Sequence, residues 1–204
     1  MDIDKQMAAG ETCRLLAVLF YEPKGVLAAG AEEFFTSFSP VATAYDADLE
    51  EHFTALQEAY EKTDLTTLQV DYAALFVGPA ELLACPFGSI HLEKDHQLLG
   101  ETTAMVQRLY RQAGLQLDQE ANMVPDHIAV ELEFLHYLLI KRTQSKEQGL
   151  TECLTTFLTH CFRPFAQRLS AQMITHARTD FYRIVGKMLQ HVTTTIDRVP
   201  SVAA

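Results

Sequence analysis

The chain has 204 residues, 48% hydrophobic and 21% charged, the composition of an ordinary folded protein with material for one sizeable core. Its net charge of −11 argues against nucleic-acid binding, and its longest apolar run, near Leu15–Tyr21, falls far short of the roughly 20 residues of a membrane span. Four scattered cysteines (Cys13, Cys85, Cys153 and Cys161) show no paired metal spacing and read as small buried hydrophobes. Helical periodicity dominates, with no convincing alternating strand. A first helix is predicted from about Asp4 to Tyr21, stopped by Glu22-Pro23 because the residue before proline is pushed out of the α region. A second covers about Gly25–Phe38 and ends at Ser39-Pro40; a third spans about Tyr45–Lys62, with Leu49, Phe53, Leu56 and Tyr60 on one stripe. Asp64 can cap a fourth, about Leu65–Phe76, which Gly78-Pro79 breaks. Residues 77–92 hold two prolines, two glycines and several large apolar groups, the pattern of a long ordered loop. Helix resumes at about Gln97–Ala113, with Gly114 as its stop, and again from Pro125 to about Thr143. Further helices fit 150–162, 164–177 and 180–197. With no repeat, low-complexity tract or linker, residues 1–204 read as one all-α domain, a helical bundle.

Charge is uneven. Residues 1–102 carry 18 acidic against 5 basic side chains, and 103–204 carry 9 against 11. An acidic half repels nucleic acid and anionic membranes and attracts basic segments, although a solubilising surface explains the same bias. The polar, acidic start MDIDKQ lacks the basic region of a secretory signal, so the cytoplasm is the expected compartment, without stable membrane insertion.

The stretch VPDHIAVELEFLHYLL, residues 124–139, poses the functional question. Two Glu-x-x-His matches, Glu93/His96 and Glu133/His136, suggest a helical di-metal carboxylate oxidoreductase, in which each pair would point into a bundle. Helical geometry opposes this. Ile128, Leu132, Leu135 and Leu139 form the apolar stripe, and Glu133 and His136 lie mostly on the other side. His127, Glu131, Phe134 and Leu138 line a second stripe, where His127 and Glu131 are spaced to touch. Pro125 and Asp126 suit a helix start, since proline there costs no intrahelical bond and aspartate complements the positive end of the dipole. From the residues alone, a plain helix start with an i,i+4 pair is the favoured reading of these positions. No nucleophile elbow or phosphate loop is present, and no cofactor is implied.

Three segments carry a resemblance: VDYAALFVGP at 70–79, CPFGSI at 85–90 and PDHIAVELEFL at 125–135. Together they resemble the TorD/DmsD family of redox-enzyme maturation chaperones, over most of the chain. The closing FYRIVGKML (181–189) and the first helix ending before Pro23 are similar as well. The resemblance implies a non-enzymatic, all-helical cytoplasmic chaperone, monomeric or homodimeric. Such a protein binds the twin-arginine leader and apo form of a molybdopterin-dependent oxidoreductase precursor, delaying export until the cofactor is loaded. By motif match it places leader binding on Tyr72, Leu75, Phe76, Gly78 and Pro79, on Pro86, Phe87 and Ser89, and on Pro125, Asp126, His127 and Glu131. The family commonly has tryptophan in or near the loop; this chain has none, and Phe87 is the candidate for its place. The chemistry expected of such a receptor is carboxylates for two guanidinium forks and an apolar groove for the hydrophobic stretch after them. Asp126 and Glu131 are the candidates for the first, and Leu75, Phe76, Phe87 and Phe134 for the second.

Overall fold

A helix that is apolar on nearly every side must sit inside the protein, and residues 128–144 make one. The computed structural model describes residues 3–78, 82–116, 123–145 and 148–196. In it the helix α8 (Ile128–Gln144) is central, and both of its predicted stripes are buried apart from the partly open His127 at its start. Before it in the chain come α1 (Ile3–Val18), α2 (Val26–Ala29), α3 (Ala31–Tyr45), α4 (Ala47–Glu61), α5 (Leu65–Tyr72), α6 (Gly88–Leu92) and α7 (Glu101–Gln112). After it come α9 (Gln148–Phe157), α10 (Arg163–His176) and α11 (Asp180–Thr195). The all-α expectation holds: among the described residues the only extended pairing is an isolated bridge between Phe87 and His127.

Packing is set by where the apolar side chains fall. α1 lies along α8, α3 and α4 pair with each other, and α11 packs on both α4 and α10. Phe34, Phe35, Phe38 and Phe53 interlock between α3 and α4, at centroid separations of 4.9–5.8 Å. All four cysteines are free and buried, as expected of packing residues. Two five-residue π turns, Ala73–Val77 after α5 and Leu158–Phe162 between α9 and α10, each continue a helix.

The boundary at Pro40 differs from expectation for a physical reason. Pro40 does not stop a helix; it lies inside α3, and the break comes earlier, at Gly30. A proline removes the bond to the carbonyl four residues back, here that of Thr36. Pro40 and Thr36 are both exposed, so water satisfies that carbonyl, while Phe38 and Ala42 on the inner side are fully buried. The predicted caps hold where the side chain has a donor to meet. Asp64 accepts from the Thr67 amide at 3.0 Å, and the chain leaves α7 at Gly114.

The buried Asp71 ties the two ends of the molecule together. It is 1% exposed and accepts from the amides of Arg178 and Thr179 and from the Thr179 hydroxyl, at 3.1, 2.8 and 2.6 Å. Thr179 in turn caps α11. The carboxyl group therefore fixes the turn between α10 and α11 to α5, next to the segment that carries Tyr72 and Phe76.

Candidate functional site

The segment before α8 does not start the helix as expected. Pro125 and Asp126 form a turn, and the capping residue is His127, whose Nδ1 accepts from the Ala129 amide at 3.2 Å. The expected His127–Glu131 side-chain contact is absent: the histidine is turned back to its cap, and neither Glu131 oxygen has a partner. Tyr110 of α7 holds the turn through its hydroxyl, which donates to the Pro125 carbonyl at 2.7 Å.

Loop 82–92 is stitched onto this turn. The Gly88 amide donates to the Asp126 carbonyl (2.8 Å), the Ser89 amide to Asp126 Oδ2 (2.6 Å) and the Ile128 amide to the Pro86 carbonyl (2.9 Å). The Phe87 ring stands edge-on to His127, with centroids 5.3 Å apart. The stretch expected to be an ordered loop thus contains the short helix α6, directly over the start of α8. Its near end is tied to the third motif, since the Ala84 amide donates to the Leu75 carbonyl at 2.9 Å.

On that third segment Leu75 is buried. Phe76 is buried among Phe20, Tyr72 and Tyr182. The Tyr72 hydroxyl donates to the Phe20 carbonyl at 3.2 Å. Gly78 has φ +57, a conformation L side chains rarely adopt, and ends the π turn. Pro79 lies outside the described residues. The three sequence motifs are therefore contiguous, but Pro86, Ser89, Pro125, Asp126 and Glu131 are buried, and only Tyr72, Gly78, Phe87 and His127 are partly open.

A groove of about 900 Å³ opens beside the junction, lined by Leu82, Cys85, Phe87, Ile90, Leu98 and Ala171, with His91, His96, Arg168 and Gln172 among them. Arg168 donates to the His91 carbonyl, and His91 is bonded to the Cys85 carbonyl at 2.7 Å. Sequence reasoning missed the far wall, Leu98 and Arg168. Leu98 and Leu99, 45% and 64% exposed, were the available signal: two adjacent leucines in an otherwise polar run.

Burial sets the electrostatics. It raises the Glu131 carboxyl well above the ordinary range, aided by the neighbouring Asp126, and pushes the Tyr110 phenol up. Burial also lowers His127, to about 4 from 6.5. A histidine whose folded value is depressed binds fewer protons folded than unfolded. Its contribution is present above 6.5 and is lost as pH falls toward about 4. The urea midpoint of the protein is expected to fall over that interval. His127→Asn, which keeps a capping acceptor without titrating, is expected to flatten the slope.

The residues of the di-metal reading are engaged apart from one another. Glu133 accepts from the Tyr21 hydroxyl (2.8 Å), His136 pairs with the Gly10 carbonyl (3.0 Å), Glu93 accepts from the Thr102 amide (2.6 Å), and His96 pairs with the Ile90 carbonyl (2.7 Å). Among the described residues no three such ligands converge.

Comparison with known proteins gives this junction its context. The sequence pattern of the nitrate reductase delta subunit family matches residues 42–171, which include all three motifs. The chain belongs to this family. The Tat proofreading chaperone DmsD of Salmonella typhimurium is 26% identical over 152 residues, 74% of this chain and 64% of that protein. The chaperone protein TorD of Actinobacillus succinogenes is 31% identical over 166 residues, 78% of this chain and 79% of its own length. A crystal structure of a protein assigned to redox enzyme maturation, from Archaeoglobus fulgidus, superimposes with a TM-score of 0.57 at 21% identity, over 92% of this chain and 93% of that one. That likeness supports the fold. The resemblance to TorD and DmsD drawn from the motifs is borne out. This chain spans just under two thirds, 64%, of the length of the Salmonella relative.

Proposed function

We propose that this protein is a non-enzymatic maturation chaperone that acts in the cytoplasm. Its client is the precursor of a molybdopterin-dependent oxidoreductase, which it binds through the twin-arginine leader and the unloaded enzyme until the cofactor is in place. The observation that carries the reading is the apolar groove of about 900 Å³ lined by Cys85, Phe87 and Ile90 of the CPFGSI segment, with Phe87 also edge-on to His127. A groove of this kind suits the apolar stretch that comes after the arginines in a leader. No helix among the described residues is long and apolar enough to cross a membrane, in keeping with a partner that meets its client before export.

The acidic first half of the chain, 18 carboxyl groups against 5 basic ones, would speed encounter with a basic leader, an effect that salt weakens. The test is calorimetric titration with a synthetic leader peptide and with the same peptide carrying alanine at both arginines. The reading expects saturable one-to-one binding of the first and at least tenfold weaker binding of the second, since each lost charge-assisted pair is worth about 1.5–3 kcal/mol. Equal affinity for the two peptides would remove the twin-arginine leader as the ligand.

A further inference from the structure

Four buried polar atoms at the junction have no hydrogen-bond partner: both oxygens of Glu131, Oδ1 of Asp126 and Oγ of Ser89. All three residues are 0% exposed. Buried polar groups are nearly always paired, so this many unmet atoms at one place call for an occupant or a second conformation. The layer that covers them is thin. A Cβ at Gly88 would stand 3.4 Å from Glu131 Oε1 and 3.6 Å from the Asp126 Cβ, so the backbone of α6 rests directly on both acids. That cover is fastened at its near end through Asp126 itself, by the Gly88 and Ser89 amides, and by the Ile128–Pro86 bond, and at its far end by Arg168, which donates to the His91 carbonyl.

We propose that residues 86–92 are a lid over the carboxyl pair Asp126 and Glu131, and that a guanidinium of the leader opens it, takes both groups, and drives one proton from Glu131 into solvent. The inference rests on the leader-binding reading. With the lid shut, a charge on Glu131 would be desolvated beside Asp126, and burial accordingly holds this group protonated far above the usual carboxyl range. The other titratable groups facing the pair are the Tyr110 phenol of α7, the Cys161 thiol of the second π turn and the Cys85 thiol of the loop, each raised by burial. The His127 imidazole faces it too, and burial lowers it to about 4 and so keeps it neutral near pH 7. Phe165 of α10 sets an apolar ring against Gly88, its Cδ1 3.4 Å from where a Cβ there would stand. None of these neighbours supplies a cation, so the pair has a place for one. A guanidinium would offer its planar fork to both acids and replace the Ser89 amide at Asp126. Only the ionised form of Glu131 can serve it fully, which ties binding to proton release.

Calorimetry in two buffers of equal pH and different ionisation enthalpy counts the protons released when a synthetic peptide with consecutive arginines and an apolar stretch binds. Near neutral pH the wild-type protein is expected to release about one proton per peptide. Glu131→Gln, a neutral mimic of the closed state, is expected to release none and to bind about tenfold more weakly. The ligand-free protein gives an independent reading of the same group. A raised folded value means that the folded state holds the proton longer, so stability is present in full below 4.5 and declines as pH rises. Glu131→Gln should remove that decline, as followed by the urea midpoint. Peptide binding with no proton release in the wild type, or with the same release in Glu131→Gln, would overturn the lid and leave the leader reading intact. Failure of the peptide to bind at all would overturn both.

Discussion

Asp71→Ala is expected to destabilise the protein by about 3 kcal/mol. The carboxyl group is 1% exposed and meets three donors, two amides and a hydroxyl, at 2.6–3.1 Å. A hydrogen bond to a charged acceptor contributes about 1.5–3 kcal/mol, and a buried donor left unmet costs about 1–3 kcal/mol, although such figures do not add in full. Thr179, which donates two of these bonds, also caps α11, so the loss spreads to the start of that helix. Asp71→Asn keeps one acceptor oxygen but turns an amide group toward a donor, and about half the penalty is expected. Urea unfolding of the three proteins measures this directly. A loss below about 1 kcal/mol for the alanine variant would mean that the α10–α11 turn is held by its own packing rather than by α5.

The second large effect concerns affinity. Leu98→Asp combined with Phe87→Ser is expected to weaken leader-peptide binding about 100-fold while shifting the unfolding midpoint little. Leu98, 45% exposed, and Phe87, partly exposed, both line the groove, so neither contributes much to the free protein's core. Each would be covered by an apolar ligand. Burying a large apolar side chain is worth about 1.5–3 kcal/mol, and 1.4 kcal/mol is a factor of ten. Unchanged affinity in the double variant, with an intact fold, would move the ligand out of this groove.

Much of the fold was legible in the sequence because helices announce themselves through spacing and stops. The stripe of Leu49, Phe53 and Leu56, the Asp64 cap and the Gly114 exit all act locally and appear where expected. Pro40 misleads because its cost depends on whether water reaches the Thr36 carbonyl, a tertiary matter. The site was legible as three motifs, not as a geometry. His127 rather than Asp126 caps α8, because the Asp126 side chain is recruited by the Ser89 amide, 37 residues away in the chain. Glu131 was expected as an open carboxylate for a guanidinium, but both stripes of α8 face protein, which no single periodicity conveys. Leu98 and Arg168 belong to the groove only through the folding of α6 and α10 against each other.

Hydrogen exchange in the presence and absence of a twin-arginine leader peptide shows where on the protein the leader binds. Added protection is expected in residues 82–98 and 123–131, with little change in α3 and α4, which pack on each other away from that junction. Protection confined to α3 and α4, with residues 82–98 and 123–131 unaffected by a bound peptide, would contradict this placement of the leader.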